Sequence, residues 1–185
     1  MAAERPQRAD AIRNRRRILD AAAAQVTAAG PEVGMDEIAQ AAGVAVGTLY
    51  RHFPTKTDLL AAVIAEDVAA IADDAEASLA RVRGGTRAVD EVVGFLQRVA
   101  EATAKSHAVK AAAAGLGVQG HGEQTDEARA GAAVAELLQA ARRDGAIRPH
   151  ITVDDIYLLM ATAPTDQPQQ IGRWLELVLP GIVAR

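Results

Sequence analysis

A chain of 185 residues, half of them apolar, can bury a core in one medium domain or in a small domain joined to a larger one. It has no cysteine, so disulfides and thiolate metal sites are excluded, and no run of about 18 apolar residues is present to span a membrane. The net charge of −4 is unevenly spread: residues 1–17 hold six arginines (5, 8, 13, 15, 16 and 17) against Glu4 and Asp10, a basic start to an acidic body that suits a polyanionic partner or a solvated tail.

Aromatic residues make up 3% of the chain, so alanine and the aliphatic residues must fill the core, which favours helix. The polar, arginine-rich start lacks the apolar stretch of a secretory signal, and a cytoplasmic protein is expected. The first predicted helix runs from Asp10 to Ala29, with Ile12, Leu19, Ala23 and Val26 as its apolar stripe, and stops at Gly30-Pro31. A short helix follows over Met35–Ala42, Gly43 breaks it, and another covers Val46–His52. Pro54 ends that element. Thr55 and Asp58 form a capping box that starts a fourth helix at Lys56, continuing to Val82 with Leu59, Val63, Val68 and Ile71 as apolar marks.

Beyond Gly84-Gly85 the pattern predicts helices over Ala88–Ala104, Lys105–Gly115 and Thr125–Arg143, with the glycine-rich segment Leu116–Gly122 as a loop. A second capping box, Thr152 and Asp155, opens a helix to Ala163, with Ile151 and Ile156 at staple positions. Pro164 and Pro168 bracket a turn before a last helix carrying Trp174, Leu175, Val178 and Leu179. The sum is an all-α chain of about nine helices.

Residues 34–56 read GMDEIAQAAGVAVGTLYRHFPTK. Two short helices joined by a glycine turn make a helix-turn-helix. Ala39 is small where the helices cross, Gly43 permits the left-handed turn, and Ile38, Val44 and Leu49 point inward. Leu49 and Phe53, four apart, read as core. The second helix then presents Ala45, Val46, Gly47, Thr48, Tyr50 and Arg51 outward.

The run Ile38-Ala39, Ala42-Gly43-Val44, Gly47 to Phe53 and Lys56 closely resembles the tetracycline-repressor (TetR) family signature. The resemblance implies a homodimer with a three-helix DNA-binding domain and a larger helical domain that binds an effector and forms the dimer. It implies a basic arm over 1–9, a DNA-binding domain over 10–55, a linking helix over 56–82, and a ligand-binding and dimerisation domain over 83–185. On this pattern Thr48, Tyr50, His52 and Lys56 contact phosphates, while Ala45, Val46 and Gly47 approach base edges and Arg51 reaches a guanine or a phosphate. Gly34 stands where family members often carry a capping threonine or serine, so one hydroxyl contact is missing. The four arginines 13, 15, 16 and 17 cannot all face DNA, since successive helical residues point about 100° apart.

The implied function is a sequence-specific regulator, most commonly a repressor, released from a near-palindromic operator by a small-molecule effector. Candidate polar contacts for that effector are His107, Gln119, His121, Gln124 and Tyr157. His107, His121 and Glu123 match no recognised metal spacing, and neither a metal nor a cofactor is expected. Ile156, Leu159, Met160 and Ala163 form one stripe, and Ile171, Trp174, Leu175 and Val178 another; they cover the core of a monomer or pair across a dimer axis as a four-helix bundle. Two other readings compete: a helical dimerisation or adaptor protein with an incidental basic arm, and a helical enzyme with a borrowed DNA-binding module. No Ser-His-Asp order, HExxH or Glu-x-x-His pattern supports the enzyme.

Overall fold

The computed structural model describes residues 4–118 and 124–184, and contains nine α-helices among them. They are α1 (Glu4–Ala29), α2 (Met35–Ala42), α3 (Val46–His52), α4 (Lys56–Arg83), α5 (Ala88–Lys105), α6 (His107–Gly115), α7 (Gln124–Arg143), α8 (Val153–Ala161) and α9 (Ile171–Ile182). A 3-10 turn, Pro168–Gln170, leads into α9. No strand occurs among the described residues, only an isolated antiparallel bridge between Ile147 and Val183. None of these helices is long and apolar enough to cross a membrane.

The helices form two units, and the division departs from the sequence expectation. One unit contains residues 4–66 and also 108–118; the other contains 67–107 and 124–184. The segment 108–118 was expected in the C-terminal domain, but Val109, Ala112 and Ala113 of α6 are buried with the N-terminal core. Periodicity shows that α6 has an apolar face; it carries no information about which core receives it.

In the first unit α1 supplies Ile18, Leu19, Ala22 and Val26, α2 supplies Ile38, Ala39 and Ala42, and α4 supplies Leu59, Leu60, Val63 and Ile64. Ile12, expected on the α1 stripe, is 69% exposed. The packing begins six residues later, at Ile18. The helix itself starts at Glu4 rather than Asp10. Pro6 lies within the first turn, where its missing N–H has no helical partner to lose, so the helix continues through the expected arm.

In the second unit α5 is the central helix. Its buried face, from Val89 through Val92, Leu96 and Val99, packs with Val134, Leu137 and Leu138 of α7, Ile156 of α8, and Ile171 and Leu175 of α9. Thr152 caps α8 as expected: its hydroxyl accepts from the Asp155 amide at 3.2 Å, and the Asp155 carboxylate accepts from the Thr152 amide at 2.7 Å. The C-terminal end is tied back by two further backbone bonds, Arg148 N–H to Ile182 O and Ala184 N–H to Ala146 O, both 2.9 Å.

This core also encloses polar groups. Ser78 is fully buried and Glu91 nearly so. Arg81 of α4 donates to both Glu91 oxygens at 2.9 Å, and Arg98 of α5 donates to both Asp74 oxygens at 2.9–3.0 Å. Both guanidinium groups also donate to the Ser78 hydroxyl, at 2.9 and 2.7 Å. A Cβ at Gly94 would lie 2.9 Å from Arg98 Nη1, so the glycine makes room for that side chain along α5. The half-exposed Arg81 and Arg98 thus reach inward to pair the buried Glu91 carboxylate and the Ser78 hydroxyl, so neither buried polar group is left without a partner.

Candidate nucleic-acid interface

The α2–α3 pair is built as the spacing predicts. Ile38, Ala39 and Leu49 have no exposed surface, and Phe53, which ends α3, has almost none. Gly43 is in the left-handed region at φ 63°, ψ 39°. Around it Val44 N–H donates to Ala39 O at 3.1 Å and Gly43 N–H to Gln40 O at 3.0 Å, the paired bonds of a Schellman motif. Gly34 caps α2 without a side chain; the Glu37 carboxylate instead accepts its amide at 2.8 Å. Val44, expected inward, is half-buried at the turn.

With Leu49 and Phe53 turned into the core, the opposite face of α3 is left to water. Ala45, Val46, Gly47, Tyr50 and Arg51 are exposed, and Thr48 and His52 are half-buried. Val46 and Tyr50 are one helical turn apart and both show 40% or more of their surface. Arg51 folds back along its own helix, donating from Nε to Gly47 O at 3.1 Å and lying 3.5 Å from Thr48 Oγ1. At Gly47 itself an added Cβ would meet nothing within 4 Å.

Lys56 takes a position that the sequence does not reveal. Its ammonium donates to Val33 O at 2.6 Å and to Pro31 O, so it fastens the first residue of α4 to the turn between α1 and α2. Part of its donor capacity is therefore used inside the protein. Thr55 and Asp58 complete the capping box of α4, with the Thr55 amide 3.0 Å from the Asp58 carboxylate and the Asp58 amide 3.0 Å from the Thr55 hydroxyl. Arg15 of α1 lies over the Phe53 ring, its guanidinium carbon 4.8 Å from the centroid.

Of the candidate effector residues, the described ones, His107 and Tyr157, have different partners. His107 is exposed at the start of α6, with Nδ1 3.1 Å from the Thr165 hydroxyl. Tyr157 is half-exposed on α8; partial burial, then the charges of Glu127 and Asp154, push its phenol above the ordinary value. Its hydroxyl reaches α7 at Gly131, where a Cβ would stand 3.2 Å away. Gln119, His121 and Glu123 lie outside the described residues, as does the Gln124 side chain. Three open grooves on the second unit are lined by other residues. The one between α4 and α7 has a volume of about 410 Å³, a floor of Leu79, Ala132 and Ala133, and ion pairs Arg129–Glu76 and Arg83–Glu136 at its two ends. Smaller α5–α9 and larger C-terminal grooves measure about 220 and 450 Å³.

The α8 and α9 stripes cover the core of their own unit. Ile156, Ile171 and Leu175 are buried, and Leu159, Met160, Ala163 and Trp174 pack against the same core. The apolar residues left outside are their neighbours, Leu158 at 69% exposure and Leu177 at 63%, beside Tyr157 and the half-buried Val178.

Comparison with known proteins agrees with this architecture. Residues 18–63 match the family model of bacterial regulatory proteins of the tetR family, and residues 88–184 match that of the SbtR-like transcriptional regulator C-terminal domain. A TetR transcription regulatory protein from Mycobacterium vanbaalenii has the same fold, with a TM-score of 0.77 and 34% identity, covering 97% of this chain and 100% of that one. The regulator SCO0520 from Streptomyces coelicolor follows at 0.66 and 27%, over 91% and 98%. The HTH-type transcriptional repressor KstR of Mycolicibacterium smegmatis is 42% identical over 87 residues, which are 45% of this chain and only 42% of that repressor. With one family model matching the helix-turn-helix and a second matching more than half of the chain, this protein belongs to the TetR family of bacterial transcriptional regulators.

Proposed function

We propose that this protein is a transcriptional repressor that binds a near-palindromic operator as a homodimer and releases it when a small molecule occupies its C-terminal unit. The observation that carries the reading is the outer face of α3. It exposes Val46, Tyr50 and Arg51 around a glycine with open space at its Cβ position, on a helix whose other face is locked into the core. Thr48, Tyr50 and His52 bind phosphates. Ala45, Val46 and Gly47 approach base edges, Val46 against a thymine methyl, and Arg51 swings from its own helix to a guanine or a phosphate. Lys56 adds positive charge at the start of α4 while bracing the turn behind it.

Two features support the assembly and its switch. Leu158 and Leu177 are large apolar side chains left in water on α8 and α9, a face suited to a second copy about a two-fold axis. Such a dimer presents two recognition helices to successive major grooves about 34–36 Å apart or a little wider. The effector is apolar in character, in keeping with the aliphatic core of the second unit, and the protein acts on DNA in the cytoplasm.

A gel shift with a labelled duplex taken from upstream of the protein's own gene tests this. Saturable binding that survives excess random competitor, and that weakens steeply with salt, is expected. Equal affinity for random duplexes would remove operator-specific regulation from consideration.

A further inference from the structure

Four arginines at positions 13, 15, 16 and 17 occupy the exposed part of α1, and the structure treats them differently. Arg13 pairs with Asp10 one turn earlier, so its charge is locally cancelled. Arg17 directs its guanidinium to the Gly43 carbonyl, 3.4 Å away, holding α1 to the turn at the end of α2. Arg16 is simply exposed. Arg15 alone is stacked on an aromatic ring, that of Phe53.

The stack determines what Arg15 can do. A guanidinium over a ring uses its flat face, while its N–H donors lie in the plane and point outward from the edges. Among the described residues none of the Arg15 donors makes a hydrogen bond. The cation therefore rests over the ring with its in-plane donors unspent. Its location is equally specific. Phe53 closes α3, its ring centroid is 6.2 Å from that of His52, and α4 begins three residues later at Lys56. Arg15 thus adds a third cationic or hydrogen-bonding group to the end of the recognition helix, supplied by a different helix.

We infer that Arg15 is the α1 arginine that binds a DNA phosphate, with Phe53 as the platform that orients it; this rests on the DNA-binding reading above. A guanidinium grips phosphate through paired N–H donors in one plane, which an unordered side chain would first have to arrange. The ring has already done so.

The test uses the full-length protein and the same upstream duplex, with affinity measured by fluorescence anisotropy over a salt series. Each phosphate contact contributes about 0.9 to the slope of log affinity against log salt, so a fourfold rise in KCl costs roughly 3.5-fold in affinity per contact. Arg15→Ala in a dimer removes two contacts, so the same rise should cost the variant roughly twelvefold less than it costs wild type. Arg15→Lys keeps the charge but not the flat face: its slope should match wild type while its affinity falls between the two. Arg16→Ala is the charge-matched control, with a slope near wild type. A wild-type slope in Arg15→Ala, with any affinity loss matched by a lower melting temperature, would make Arg15 a mere prop for Phe53 and overturn the inference. Equal slopes for Arg15→Ala and Arg16→Ala would overturn it too, by tracing the effect to overall charge. Wild-type protein without preference for this duplex over random DNA would instead overturn the reading beneath it.

Discussion

Replacing Gly47 by alanine separates what α3 needs from what its partner needs. In a free helix glycine is a liability, costing about 0.5–1 kcal/mol against alanine because more backbone freedom is lost on folding. Nothing inside the protein offsets that cost. Gly47 is helical with ordinary φ, a Cβ there would meet nothing within 4 Å, and the Arg51 bond uses the Gly47 carbonyl, which alanine also has. Gly47→Ala should therefore stabilise the protein by about 0.5–1 kcal/mol, raising the melting temperature of a chain this size by about 1–4 °C. Against DNA the sign reverses. A methyl group forced into a close contact costs about 1–3 kcal/mol, which weakens binding roughly 5- to 150-fold. Thermal melts followed by circular dichroism, paired with anisotropy titrations at one salt concentration, read both quantities. A more stable variant with unchanged affinity would mean that the DNA never approaches Gly47, and a less stable one would mean that the protein itself requires the glycine.

Tyr50 shows 45% of its surface, so Tyr50→Ala should leave the melting temperature and dimer intact. Loss of a hydroxyl bond to phosphate should cost about 1.5–3 kcal/mol of DNA binding; unchanged affinity would strike it from the contact set. The double substitution Leu158→Glu with Leu177→Glu places two charges on the exposed face of α8 and α9, and sedimentation should then show a folded monomer; a persistent dimer would move the interface elsewhere. In the buried network, the bonds from Arg81 hold the Glu91 carboxyl below its ordinary value of 4.5, with burial opposing them. Because the folded value is depressed, the stabilisation is complete above about pH 4.5 and is lost as pH falls through that lower value. Glu91→Gln should lower stability at pH 7 and flatten the acid side of the stability profile; urea midpoints that track wild type at every pH would refute the linkage.

The parts of this molecule that the sequence made legible are those decided within a few residues. Ile38, Ala39, Gly43 and Leu49 specify a helix-turn-helix because each answers a local demand: small at a crossing, left-handed at a turn, apolar at one helical face. The boxes Thr55-Asp58 and Thr152-Asp155 marked helix starts for the same reason, since cap and partner are three residues apart. What escaped the sequence depends on longer reach. Arg98 meets Asp74 across 24 residues, and nothing in either local pattern distinguishes this pair from two solvated charges. Lys56 bridges to Val33 across 23. The apolar stripes of α8 and α9 follow helical period, but period alone cannot say whether a stripe meets its own core or a second copy; here it meets the core, and Leu158 and Leu177 beside it are left outside. Arg15 meets Phe53 through the tertiary crossing of α1 with the end of α3, so an arginine-rich run that looks uniform in the sequence becomes four side chains with four different fates.

The scarcity of aromatic residues has a practical side. The chain has one tryptophan and two tyrosines. Trp174 is half-buried on α9, one turn before Leu177 and Val178; Tyr157 lies half-exposed on α8, and Tyr50 on the outer face of α3. Every strongly absorbing side chain is thus placed beside a surface proposed to be covered, at the seam between two copies or against DNA. Indole emission shifts with the polarity around the ring, so self-association can be followed in unlabelled protein by dilution alone. The near-ultraviolet spectrum of this protein is, in effect, a spectrum of its contacts.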